Sequence, residues 1–250
     1  MKILIAGDSY AECDMNYSVN SWCYALKSIC NHDITNIARG GTSLAWTYKR
    51  ILEAKNSNDW HTYDKVIVVV TSHGRAYTRR SLTLPKIKNE DQITNYDIML
   101  KNLQNKNKND EPYYEEFVAV KGWFEYIYDN EIEIITHKGL IEEIKKIIPE
   151  DKLILINGCA NPIHFKDHFK YDIFLNNITN YEILKVLPDG LDRSIYRESK
   201  IISNHMTPSN NLKVAIYIKN ILEGMNPTFD LNNFDKISPN DFHLYYDQIS

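Results

Sequence analysis

Glycine is scarce in this chain, at 9 of 250 residues. A glycine pair therefore needs a local reason, because glycine is chosen where the backbone turns left-handed or passes close to another group. Proline is equally sparse, at 8, which excludes proline-rich and collagen-like architectures. The four cysteines, Cys13, Cys23, Cys30 and Cys159, form no CxxC pair. That argues against a disulfide scaffold and leaves each to pack as a small, reduced, apolar side chain. Neither charge sign dominates: 29 Lys and Arg face 33 Asp and Glu, a formal net charge of -4. With no basic run, nucleic acid is not an expected partner. No apolar stretch reaches the length of a membrane-spanning helix, so no membrane partner is expected either. Met1 to Ala6 is too short for a signal peptide and runs at once into Asp8, which points to a cytoplasmic protein. Neither GxGxxG nor GxxxxGK[ST] occurs, and no cofactor is expected.

What the chain does have is ordinary globular composition, with 43% hydrophobic residues, and the size of one large domain. Short apolar runs at Lys2–Ala6, Lys65–Val70 and Lys152–Ile156 read as strands, and Asp33–Ile37 can make a short second strand. Helical spacing recurs at Trp22–Ile29, Ala45–Ala54, Gly139–Ile148 and Asn211–Leu222. Alternating strands and helices predict an α/β domain with a parallel sheet covered on both sides. The domain is expected over 1–224, with an insertion around 79–138. The insertion holds a polar run, Lys101–Asp110, and then an aromatic helix containing Tyr113, Tyr114, Phe117, Trp123, Phe124, Tyr126 and Tyr128, expected to pack on the core or on a lid, with a substrate-facing wall as the alternative. A tail, 225–250, would wrap the domain or meet a protein partner.

Ligands of open α/β sheets bind outside the carboxyl ends of the strands, and the unusual residues of this chain fall there. Gly7-Asp8-Ser9 follows the first strand; a serine at such a turn can be a nucleophile beside backbone N–H donors, or a plain helix cap. Asn36 and the Gly40-Gly41 pair follow the second strand. Thr71, Ser72, His73 and Arg75 follow the third. His205 comes just before the last helix, where an imidazole could reach toward Ser9. His164 and His168 stand four apart, but no third ligand is evident and no metal site is expected.

In that order these residues resemble the SGNH/GDSL hydrolases, especially bacterial and phage members of unassigned substrate. The resemblance covers about residues 2 to 222. It implies a three-layer α/β/α, flavodoxin-like fold with a parallel five-stranded sheet. It also implies Ser9 as nucleophile, His205 as base, and an oxyanion hole from Gly41 and His73, with Asp8, Asn36, Ser72 and Arg75 in support. The chain departs from the pattern at three points: Ala38 replaces the first glycine of Asn-x-Gly-x-x-Gly, His73 stands where the family has asparagine, and Ser203 and Ile202 occupy the places of the Asp before the histidine. Asp189, Asp192 and Glu198 are the carboxylates nearest upstream. The expected function is hydrolysis of an ester, such as an O-acetyl group on a small molecule or carbohydrate. The alternative is a catalytically silent binding or structural protein of the same fold, as in a phage particle, with the virion then its location.

Overall fold

The computed structural model describes residues 1–12, 21–76, 94–95, 114–160, 162–171, 173–175 and 206–235. Strands β1 (Lys2–Ala6), β2 (Asp33–Asn36), β3 (Lys65–Val70) and β6 (Leu153–Asn157) form one sheet in the order β2-β1-β3-β6, every pairing parallel. Two short strands, β4 (Arg75–Ala76) and β5 (Thr94–Asn95), pair as a separate antiparallel ribbon. The expected fifth strand of the main sheet is not among the described residues. A single parallel bridge from Asn157 to Phe174 marks that edge.

The helices are α1 (Trp22–Ile29), α2 (Leu44–Lys55), α3 (Tyr114–Tyr126), α4 (Asn130–Ile147), α5 (Pro162–Phe165) and α6 (Pro208–Leu222). Successive strand residues point to opposite faces, and here both faces are buried. Ile3, Ile5, Ile67, Val69, Ile154 and Ile156 pack with Trp22 and Leu26 of α1 and Val214, Ala215 and Ile218 of α6. Leu4, Ala6, Val66, Val68, Val70 and Leu155 pack with Leu44 and Ile51 of α2 and Ile141 and Ile144 of α4. Two helical layers thus enclose the sheet, and unbroken apolar strands are what such a sheet requires. Each fully buried aliphatic side chain contributes about 1.5–3 kcal/mol of transfer free energy.

Helix starts follow their caps. Ser21 accepts from Tyr24 N, Ser43 from Trp46 N, Asp129 from Glu131 N and Ile132 N, and Thr207 from Asn210 N. Each accepts from one or two of the N–H groups that a helix start leaves unpaired. Helix α4 begins nine residues before the expected Gly139, at the Asp129 cap. Helix α6 begins at Pro208 rather than Asn211, with proline at its first turn, where a missing N–H costs nothing. At the end of α3 the aromatics pack on one another: Trp123, Phe124 and, just past the helix, Tyr128 have ring centroids 4.9–5.5 Å apart, while Tyr126 is exposed. Of the tail, residues 225–235 fold back onto α6: Tyr217 OH donates to Pro227 O at 2.7 Å, and Lys213 pairs with Asp235 at 2.6 Å. Cys23 and Cys30 are buried and Cys159 half-buried, all free thiols; Cys13 lies outside the described residues. No described helix is long and apolar enough to cross a membrane.

Candidate functional site

The loops that leave β1, β2 and β3 meet at the carboxyl edge of the sheet. Gly7 sits where β1 passes β3 closely, since a Cβ there would lie 2.8 Å from Val69 Cβ. Asp8 is fully buried. Its main-chain oxygen accepts from Ala11 N and Glu12 N, both at 2.9 Å, and its Oδ1 accepts from Tyr10 N at 3.1 Å. These bonds wind residues 8–12 into a single turn and leave Ser9, half-buried, at its start. Ser9 does not cap the next helix, because Ser21 caps it.

The second loop lies against the first. Asn36 Nδ2 donates to Ala11 O at 2.7 Å, and Asn36 Oδ1 accepts from Ala38 N at 2.8 Å. Arg39 N donates to Gly7 O at 3.1 Å. At Gly40 a Cβ would run into the Glu12 carboxylate and stand 3.6 Å from Ser9 Cβ, so the turn approaches the serine with no side chain between. Gly41 has φ +73, the left-handed region glycine enters freely.

The third loop supplies the electrostatics. Asp8 Oδ2 accepts from Thr71 Oγ1 at 2.7 Å and from Arg75 Nη1 at 2.6 Å; Arg75 Nη1 also donates to Thr42 O at 3.2 Å. Burial opposes the Arg75 charge most strongly, but Asp8 together with Cys159 and Tyr10 outweighs it, and the guanidinium titrates above its ordinary range. Ser72 N donates to Cys159 Sγ at 3.1 Å, and Ser72 Oγ accepts from Gly74 N at 3.3 Å, so this hydroxyl serves its own turn. Burial, with Asp8 nearby, pushes the Cys159 thiol up to about 11, which keeps it protonated and a poor nucleophile.

His73 points its Nε2 at Asn130 Oδ1, 3.2 Å away, while its Nδ1 is buried without a partner. Its ring stands among His137, His164 and Phe165, with centroids 5.7–6.4 Å away. Burial lowers its pKa, so the ring is neutral near pH 7. A neutral imidazole has one N–H. With that proton on Nε2 toward Asn130, Nδ1 can only accept. His137 Nε2 lies 3.0 Å from Thr71 O, and burial, with His73 adding to it, lowers its pKa to about 4. Among the described residues no group of His, Cys, Asp or Glu is arranged to hold a metal ion.

The structure thus brings together Asp8, Ser9, Asn36, Gly41, Ser72 and Arg75 at one rim, with His73 turned to Asn130 beside them. His205 lies outside the described residues, as do Ser203, Ile202, Glu198, Asp192 and Asp189. Sequence reasoning missed His137, Cys159 and Asn211. His137 carried a signal: it falls on the buried stripe Ile134, His137, Ile141, Ile144, Ile148, the spacing of one helix face.

No family described by a sequence model matches the chain, and no curated protein sequence does. Solved structures do overlap it. One is a protein described as lipolytic, of the G-D-S-L family, from Desulfitobacterium hafniense DCB-2, with 12% identity, a TM-score of 0.38, and coverage of 88% of this chain and 98% of that one. Another is an acetyl xylan esterase from the rumen bacterium Butyrivibrio proteoclasticus, with 11% identity, a TM-score of 0.36, and coverage of 89% of this chain and 64% of that one. At such scores the chemistry has to rest on this chain's own residues.

Proposed function

We propose that the chain is a serine hydrolase of ester bonds on an SGNH-type fold, with Ser9 as nucleophile and His205 as its base. The observation that supports this best is a relay of hydrogen bonds through Trp22. Trp22 Nε1 donates to Tyr10 O at 2.6 Å, one residue after Ser9. Trp22 N donates to Asn211 Oδ1 at 2.8 Å, and Asn211 Nδ2 donates to Met206 O at 3.1 Å, one residue after position 205. Tyr10 and Met206, nearly two hundred positions apart, are therefore both tied to Trp22, the first to its indole and the second through Asn211 to its main-chain N–H, and this supports a Ser9–His205 pair.

In this reading Ser9 Oγ attacks the ester carbonyl while His205 takes its proton. The N–H groups of Ser9 and Gly41 hold the oxyanion, each contributing roughly 3 kcal/mol to barrier lowering. Collapse expels the alcohol, which takes the proton back from His205. Water, deprotonated by the same imidazole, then releases the acid and restores Ser9. His73 becomes a third donor only in the tautomer with Nδ1 protonated, with the Asn130 amide turned to donate to Nε2. An O-acetyl group on a carbohydrate is the substrate class this reading favours.

A second reading, a catalytically silent protein of the same fold used for binding or assembly, is favoured by the His73–Asn130 contact, which occupies the imidazole in the family's asparagine place. The experiment that separates them is hydrolysis of p-nitrophenyl acetate together with labelling by a fluorophosphonate. The hydrolase reading expects turnover and labelling in the wild type and neither in Ser9→Ala, with His205→Ala also silent. Turnover equal in wild type and Ser9→Ala, or no turnover together with no labelling, favours the silent protein.

A further inference from the structure

The Asp8–Arg75 pair is an odd thing to find under the rim of an apolar sheet. Asp8 has no exposed side-chain surface and Arg75 only 19%. Taking two charges out of water costs several kcal/mol per ion before their attraction is counted, and well-packed apolar residues often do as well or better for stability. Holding the fold together is therefore a poor explanation for a buried ion pair. Its placement suggests a better one.

Three loops hang on this pair, and a fourth is joined to them through Ser72. Asp8 Oδ1 fixes the turn that carries Ser9, through Tyr10 N. Its Oδ2 takes Thr71 Oγ1 and Arg75 Nη1 from the loop after β3. Arg75 Nη1 reaches on to Thr42 O, the residue after Gly41, and Thr42 Oγ1 in turn donates to Arg39 O at 2.7 Å, closing the glycine turn on itself. Ser72 N on Cys159 Sγ adds the loop after β6. One guanidinium nitrogen thus spans the loop with the candidate nucleophile and the loop with the candidate oxyanion amide.

We infer that Arg75 is a positioning residue: through Asp8 and Thr42 it fixes the distance between the Ser9 turn and the Gly40–Gly41 turn, so that nucleophile and oxyanion donor are held in one geometry. This rests on the hydrolase reading for its catalytic consequence, but the mechanical part stands independently. A lysine at 75 keeps the charge, but its flexible stem ends about one bond short of the Nη1 position, so its ammonium is not held where a single nitrogen meets both Asp8 and Thr42.

The test uses the full chain with Arg75→Lys and Arg75→Ala. For Arg75→Lys, kcat on p-nitrophenyl acetate and the fluorophosphonate labelling rate are expected to fall about 100-fold, the size of effect that a displacement of about 1 Å produces. KM is expected to stay within about twofold, because both turns act on the reacting atoms rather than on substrate uptake. In Arg75→Ala, added methylguanidinium is expected to restore part of the rate, which a purely structural loss would not allow. Backbone amide exchange is the second arm. In Arg75→Lys it should quicken at residues 9–12 and 39–43 and stay unchanged in β3. Unaltered exchange in both turns, or an unaltered kcat per folded molecule, overturns the inference. Should the wild type show neither turnover nor labelling, the hydrolase reading falls, while the exchange arm still decides whether Arg75 holds the two turns. If Arg75→Ala does not fold, Arg75→Lys carries both arms.

Discussion

A methyl group added at position 40 and one added at position 41 test different physics at adjacent residues. At Gly41 nothing lies within 4 Å of the new Cβ, but φ is +73, and a left-handed backbone costs an L-residue roughly 1–2 kcal/mol. At Gly40 no such strain applies. The new methyl instead meets the Glu12 carboxylate, whose flexible end can swing away, and stands 3.6 Å from Ser9 Cβ. The two variants should therefore rank oppositely. Gly41→Ala is expected to lose about 1 kcal/mol of stability with Ser9 still labelled, and Gly40→Ala to keep most of its stability but label more slowly. Urea unfolding and fluorophosphonate labelling on both proteins check the ranking. The glycine pair was legible in the sequence because glycine is rare there. Which glycine turns and which one clears space was not, because that depends on Glu12 arriving from another loop.

Helix α4 shows why one element was half legible. Its second half, where Leu140, Ile141 and Ile144 repeat at helical spacing, was expected from the sequence. Its first half buries Ile134 and His137 but exposes Ile132 and Ile135, so apolar residues there mark two faces at once. The readable signal was instead the Asp129 cap with Glu131 and Glu133 in the first turn. The buried histidine has a consequence for pH. His137 titrates at about 4 in the folded chain, against about 6.5 when unfolded. Between these values the unfolded chain binds a proton that the folded chain refuses. Stability is thus full above about pH 6.5 and falls as the pH drops toward 4, by about 3 kcal/mol if this site alone is counted. His73, whose pKa is also lowered by burial, adds a slope of the same sign. His168 faces the same cluster but pairs with Glu142 at 2.9 Å. Urea midpoints at pH 7.5 and 5 should differ more in wild type than in His137→Gln, which cannot take up a proton. Equal differences in the two proteins would show that His137 is not the group responsible.

Across the whole molecule, β1, β3 and β6 of the parallel sheet could be read from apolar runs of five or six residues, since those runs are set by burial on both faces, whereas β2 has four residues, none of them fully buried. The order β2-β1-β3-β6 was not legible in those runs, which do not say which strands pair. Long-range ties were not legible, because a single asparagine carries no periodicity. Asn211 is the clearest case. It is buried in the first turn of α6, where its side chain accepts from Trp22 N at the start of α1 and donates to Met206 O and Thr207 O, both at 3.1 Å. It satisfies one of the N–H groups that α1 would otherwise leave unpaired while pinning the segment that follows His205. Asn211→Ala leaves a buried donor and two acceptors without this partner, and should cost about 2–4 kcal/mol. Asn211→Asp is the sharper variant. It keeps the acceptor for Trp22 N but turns a donor into a second acceptor against two carbonyls, so it should be no more stable than Asn211→Ala despite its near-identical shape. Urea unfolding of the three proteins reads the stabilities. Amide exchange at Trp22 should quicken in Asn211→Ala and less in Asn211→Asp, because only the former loses the acceptor. If Asn211→Asp is as stable as wild type, the bonds to Met206 and Thr207 contribute nothing, and the relay from Ser9 toward position 205 breaks at its last link.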